Sequence, residues 1–188
     1  MRMKPIGTFA LGVALSLAAP AALADDKAMA APKPPEELSQ LAYFTGSWTC
    51  SGKTFANPMG PEHATQGNVK VSSVLGGYWY MFHYDEMKTA ANSMPYHAAG
   101  FWGYDSGAKA FVGSCHDSFG GSCQQTSKGW TGDTLVWEGP GSMGGQKTVF
   151  RDTFTKKGAE QTHMGEMQGP DGKWMKMDEE TCKKAAKK

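Results

Sequence analysis

What most limits the fold open to this chain is its punctuation. Turn-forming clusters recur at short intervals: Gly76-Gly77, Asp105-Ser106-Gly107, Gly120-Gly121, Gly132-Asp133, Lys157-Gly158 and Pro170-Asp171-Gly172. Gly, Asp and Pro at such places supply the backbone angles of tight hairpins. The stretches between them are short and carry the β-branched and aromatic residues of strands. Ten strands are predicted, over 47–55, 65–75, 78–87, 96–104, 109–117, 122–130, 134–138, 146–155, 160–168 and 173–182. Loops are expected at 57–62, at 89–95 and at the Gly139-Pro140-Gly141 triplet. No helix-length segment separates any two strands, which excludes parallel crossovers. The sequence therefore predicts an all-β, up-and-down antiparallel sheet. Ten strands left open would expose two unpaired edges, so closure into a barrel is favoured over an open sandwich.

Ahead of the strands stands Phe44-Thr45-Gly46-Ser47-Trp48. Pro34-Pro35-Glu36-Glu37 starts a short helix, with Pro35 suited to its first turn and the glutamates to its positive end. Leu38, Leu41 and Ala42 fall on one face of it, with Phe44 just beyond. Two turns suffice to plug one end of a barrel. Gly46 then lets the chain swing sharply into the first strand, and the Trp48 indole is placed to cap the barrel core.

The four cysteines, Cys50, Cys115, Cys123 and Cys182, allow three pairings. Cys115 and Cys123 flank the Gly120-Gly121 turn and can staple one hairpin. Cys50 lies just inside the first strand and Cys182 ends the last. If the sheet closes, those two strands are antiparallel neighbours and the start of one meets the end of the other. The pairing 50–182 with 115–123 is the one that agrees with closure.

Such bridges belong to an oxidising compartment, and the N-terminus agrees. Arg2 and Lys4 precede an apolar run over 6–19, and Ala22-Leu23-Ala24 has the form of a cleavage site. The predicted organisation is a signal peptide (1–24), a polar Ala/Pro-rich leader expected to be disordered (25–35), a barrel domain (36–182) and a basic tail (183–188). Cleavage near Ala24 leaves 164 residues, one domain's worth, exported to a periplasm or secreted. No later segment approaches the ~20 apolar residues of a transmembrane helix. With 19 basic and 18 acidic residues the chain is near neutral, so nucleic acid is not an expected partner.

These landmarks resemble a known family. Gly46-Ser47-Trp48 is similar to the G-x-W that opens calycin-superfamily barrels, lipocalins among them. Leu75-Gly76-Gly77 before an aromatic strand, Gly103-Tyr104-Asp105, Asp117 after a hydrophobic strand, and Asp171-Gly172-Lys173-Trp174 resemble, in that order, the exported DUF1579 family of unknown function. The likeness covers about Leu38 to Cys182 and implies a calycin-like barrel without implying an activity. Tyr78 stands where such sequences commonly carry a basic residue. Nitrobindin-like haem proteins are similar in architecture and in the Gly-x-Trp start only.

Function is expected to be binding. Candidate lining residues come from the aromatic strands: Trp48, Tyr78, Tyr80, Phe82, Tyr84, Phe101, Trp102 and Trp137. Strand parity divides them between two faces, so about half can face inward. A small apolar or amphipathic ligand is the expected partner, and no cofactor is expected. A hydrolase or isomerase acting on a lipid-like substrate is the first alternative, with His116 or His83 as base. His116 and Asp117 are adjacent, so in a regular strand they point apart. His63 is expected in a loop, and His97 in a strand like the others. A copper or haem carrier is the second alternative, with His163, Met164 and Met167 as soft ligands and Met175 and Met177 sharing a strand face. The motifs G-x-S-x-G, S-x-x-K, H-E-x-x-H and the phosphate-binding loop are absent. Glu179-Glu180 is expected to be solvated.

Overall fold

The computed structural model describes residues 32–57, 60–90 and 92–185. The expected signal peptide, most of the leader and the last three residues lie outside these. A helix (Glu36–Phe44) precedes eleven strands: β1 (Gly46–Thr54), β2 (His63–Val74), β3 (Trp79–Glu86), β4 (His97–Asp105), β5 (Ala110–Asp117), β6 (Ser122–Ser127), β7 (Trp130–Thr131), β8 (Thr134–Met143), β9 (Gln146–Lys157), β10 (Glu160–Gln168) and β11 (Trp174–Lys184). β7 is a two-residue arm on β8, so ten strands make the wall. Sequence neighbours pair antiparallel, except that β6 pairs with β8. β1 also pairs with β11, and the sheet is closed.

Closure follows from where the cysteines fall. Cys50 and Cys182 stand directly opposite in the β1–β11 ladder and are bonded. Cys115 and Cys123 are opposite in the β5–β6 ladder and are also bonded. The first bridge therefore ties the two strands that meet last. Gly46, at φ 113°, makes the bend between helix and β1. The Trp48 indole N–H donates to the Phe44 carbonyl at 2.8 Å, and its ring packs on the Cys50–Cys182 bridge.

Four expectations need correction. The helix is a 3-10 helix, and its buried residues are Leu38, Leu41 and Phe44. Three residues per turn place those at one azimuth, and Ala42 is left facing solvent. The Gly139-Pro140-Gly141 triplet is no loop but the middle of β8. Proline lacks a donor, and the β6–β8 ladder skips this point, pairing Cys123 with Gly141 and then Thr126 with Glu138. Without side chains, Gly139 and Gly141 let the β6 backbone approach: a Cβ on either would strike a β6 carbonyl oxygen. β6 stops at Ser127, and Trp130 belongs to β7. Finally, β11 takes in the first two lysines of the expected tail. Lys184 lies opposite Trp48, donates to the Tyr43 carbonyl at 3.1 Å and sits over the Trp48 ring.

The core fills one half of the barrel. Leu38, Leu41 and Phe44 from the helix meet Val71, Tyr80, Trp102, Phe111, Leu135 and Trp137 from the wall. Phe82 stacks on Trp102 at 4.7 Å and Trp102 on Trp137 at 5.8 Å. Ring stacks of this kind add ~1 kcal/mol each beyond area burial. They also form a flat floor across the barrel at mid-height.

Candidate functional site

Above that floor the barrel is hollow. A cavity of about 610 Å³ runs from Phe44, Trp102 and Trp137 to a mouth at Asn57, Gly60, Ser93, Met94, Phe119 and Gly144. Inward-facing alternate residues of nearly every strand line it. Aromatic rings make the floor, and acidic side chains ring the wall.

His163 on β10 is the centre of the polar wall. Its Nε2 lies 3.0 Å from Asp152 Oδ1 on β9, and its Nδ1 lies 3.1 Å from Asp178 Oδ1 on β11. Carboxylates accept and do not donate, so both ring nitrogens carry protons. Burial by itself pulls the proton affinity of His163 down. Asp178 and Asp152 more than reverse this and hold the imidazolium well above the usual histidine range. The ring also rests on Phe154 at 4.7 Å. Gln125 of β6 donates its amide to the other oxygen of Asp152.

The glycines explain how the sequence builds this. Gly165 lies opposite Asp178 in the β10–β11 ladder. The Asp178 carboxylate occupies the space where a Gly165 side chain would stand, and from there it reaches His163. A register shift at Gly165/Glu166 leaves Met177 and Asp178 both lining the cavity, although they are consecutive. A bulge does this by leaving one residue without a partner. Gly67 on β2 serves Tyr84 in the same way: a Cβ there would sit 2.8 Å from the Tyr84 ring. Tyr84, from β3, thus passes over β2 to β11 and donates its hydroxyl to Glu180 Oε1 at 2.6 Å.

Glu180 also accepts from Thr65 Oγ1 at 3.0 Å and is 8% exposed. Its expected solvation is therefore a correction: β11 turns Glu180 inward with Cys182, two residues on. Burial raises the Glu180 carboxyl above the ordinary range, against the pull of Tyr84 and His163. Burial followed by the Glu180 charge raises the Tyr84 phenol strongly. Nearer the mouth, Glu86 accepts from Asn92 Nδ2 at 2.9 Å and from the Tyr96 amide at 2.8 Å. His63 stands beside it, with Nε2 at 3.4 Å from Glu86 and Nδ1 at 3.0 Å from the Pro61 carbonyl. Asp117 accepts the amides of Phe119 and Gly121, each at 2.8 Å. Among the described residues, three buried polar atoms of the lining have no hydrogen-bond partner: His63 Nε2, Gln161 Oε1 and Trp137 Nε1.

Of the eight aromatic candidates, Phe82, Tyr84, Trp102 and Trp137 line the cavity. Tyr80 and Trp48 are buried in the packed parts. Phe101 is exposed on the outer face, and Tyr78 sits in the turn before β3. His116 and His83 are exposed on the outside of the wall, while Asp117 points in. His97 is outside too, 3.0 Å from Asp85. The expected soft-ligand set does not converge: Met164 falls on the opposite strand face from His163, and both nitrogens of His163 already face carboxylates. Met167 lines a second, more open hollow of about 710 Å³ at the rim, with Met143 and Met175. Among the described residues, one His/Cys/Asp/Glu trio is close enough to share an ion, Cys50, Glu180 and Cys182, and both its sulfurs are spent in the bridge. None of Asp152, Asp178, Gln125 and Gln161 was singled out from sequence. The usable signal was parity from Cys182, which turns Glu180 and Asp178 to its own side.

Fold and site together define a closed ten-stranded antiparallel barrel, floored with aromatic rings at one end and acidic in its open half. The chain belongs to the DUF1579 family, whose description is "protein of unknown function" and whose profile matches residues 33–184. No curated protein matches it. Among solved structures, Rv2717c from M. tuberculosis is similar, with a TM-score of 0.64 at 13% identity, over 82% of this chain and all of that one. At that identity the likeness is one of fold. Among the described residues, no helix is long and apolar enough to cross a membrane.

Proposed function

We propose that this protein is an exported container for a small amphipathic molecule. The observation that carries the reading is the hollow half-barrel, about 610 Å³ above a stacked aromatic floor. That volume lies within the ~300–1,000 Å³ typical of small-molecule sites. Floor and wall differ in character, which suits a ligand with an apolar body and a polar end. The wall is also held rigidly. Tyr84, Thr65, Gln125 and His163 fix the carboxylates by hydrogen bonds across six strands, so little ordering remains to be done on binding. Export is supported by the two bridges and by the basic, apolar, small-residue pattern of residues 1–24.

The hydrolase or isomerase alternative has less support, because His116 and His83 face away from the hollow and doubly protonated His163 has no lone pair with which to act as a base. The copper or haem alternative draws nothing from His163 for the same reason. Native mass spectrometry of chain purified from its own exporting host tests the container. A co-purifying mass that leaves on mild activation is expected. A bare chain that also fails to take up any decyl-chain amphiphile overturns the reading.

A further inference from the structure

We infer that the cargo is a cation, an alkylammonium or related amine with an apolar body. This rests on the container reading and specifies what the container holds. Among the described residues, the lining carries six carboxyl groups, Glu86, Asp117, Asp152, Glu166, Asp178 and Glu180, and neither Lys nor Arg. Arg151 offsets Glu166 at 3.7 Å, and the His163 imidazolium offsets one of its two aspartates. Among the described residues, the rest have no Lys or Arg in the lining to match them, and His63 stands beside Glu86 at the mouth. The whole chain is near neutral, so the excess reflects where the fold puts these groups and not a generally acidic composition.

A second observation points to a donor. Gln161 is 3% exposed, and its Oε1 has no hydrogen-bond partner. A buried acceptor left unmade is costly, and an ammonium brings N–H donors and no acceptor. Trp137, 1% exposed, has an unpaired N–H in the same lining, so a cargo that carries an oxygen besides its amine fits better still. The floor rings favour the same charge, since aromatic faces attract cations. An anionic amphiphile meets repulsion at the carboxylate wall.

The test is a matched series, decylammonium, 1-decanol and decanoate, titrated into the exported chain with bridges intact and followed by tryptophan fluorescence and native mass spectrometry. Decylammonium is expected to bind at least tenfold more tightly than decanol, with decanoate weakest. Added salt is expected to weaken decylammonium more than decanol. The pair of substitutions Asp178→Asn and Glu180→Gln is expected to narrow the amine–alcohol gap to less than threefold. Decanol or decanoate binding as tightly as the amine overturns the inference and leaves the container standing. Binding of none of the three overturns the container and the inference together. If the double variant does not fold, the probe and salt comparisons on the unaltered chain decide the matter alone.

Discussion

Removing the Cys50–Cys182 bridge should cost about twice as much stability as removing Cys115–Cys123, and the reason is loop length. A crosslink withholds from the unfolded chain the entropy of opening its loop, about 2.1 + 1.5R ln n cal/mol/K. The first bridge spans a sequence separation of 132 and the second a separation of 8. At 25 °C these lengths give about 5 and about 2.5 kcal/mol. The structure makes the comparison a fair one, because each bridge joins residues directly opposite in an antiparallel ladder. The perturbation is the pair of double variants, Cys50→Ala with Cys182→Ala and Cys115→Ala with Cys123→Ala. The assay is urea unfolding followed by tryptophan fluorescence, with the slope fitted for each variant. At ~2 kcal/mol/M the midpoints should fall by about 2.5 M and about 1.2 M. A domain of ordinary stability holds about 5–15 kcal/mol, so a seam variant already unfolded without urea also meets the expectation. Equal losses, or a larger loss at Cys115–Cys123, would refute the loop-closure argument and with it the view that the seam is held mainly by this bond.

The remaining predictions concern the acidic wall. His163 has its folded pKa raised, so its contribution to stability is complete below the unfolded value of about 6.5 and is lost as pH rises through the folded one. The stability advantage of the unaltered chain over His163→Gln, read by urea unfolding across pH, should therefore shrink above pH 6.5, by at most about 1.4 kcal/mol per pH unit. Gly165→Ala should displace the Asp178 carboxylate, cost about 1–3 kcal/mol and lower the His163 titration midpoint seen by NMR; an unmoved midpoint would contradict the assigned role of the glycine. Tyr84→Phe removes a donor to a charged acceptor and should cost about 1.5–3 kcal/mol at neutral pH. Because it raises the Glu180 carboxyl further, the penalty should be smaller at about pH 3, below both the ordinary glutamate value of about 4.3 and the raised folded one.

Much of the fold was legible because turns and cysteines are local signals with a fixed geometric meaning. Gly76-Gly77, Gly120-Gly121 and Lys157-Gly158 each stand where two strands join, and the Cys50–Cys182 pairing followed from closure alone. The failures also have local causes. Gly139-Pro140-Gly141 has the composition of a loop, yet it serves as a flat stretch of strand against which the β6 backbone lies. Composition does not distinguish glycine needed for a turn from glycine needed for close approach.

The wall of the cavity was harder to read, because a lumen lined with carboxylates does not look like an interior. Phe150, Asp152 and Phe154 alternate with Arg151 and Thr153 along β9, and neither set reads as purely core or purely surface. β3 poses the opposite problem: both its faces are bulky, since outward Trp79 covers Gly103 of the neighbouring strand while inward Tyr80 and Phe82 pack the floor. Hydrophobic alternation therefore cannot say which face is inside. A disulfide says which residues share a face, and burial then says which face it is. Cys50 and Cys182 are 0% and 2% exposed, so their bridge lies inside the barrel, and parity turns Glu180 and Asp178 inward with it. Cys115 lines the cavity too, and Asp117 shares its face. The bridges thus group three carboxylates that composition alone assigns to solvent with cysteines that the fold buries. In a barrel of this kind the acidic residues in phase with a bridging cysteine are the ones to test first for contact with cargo.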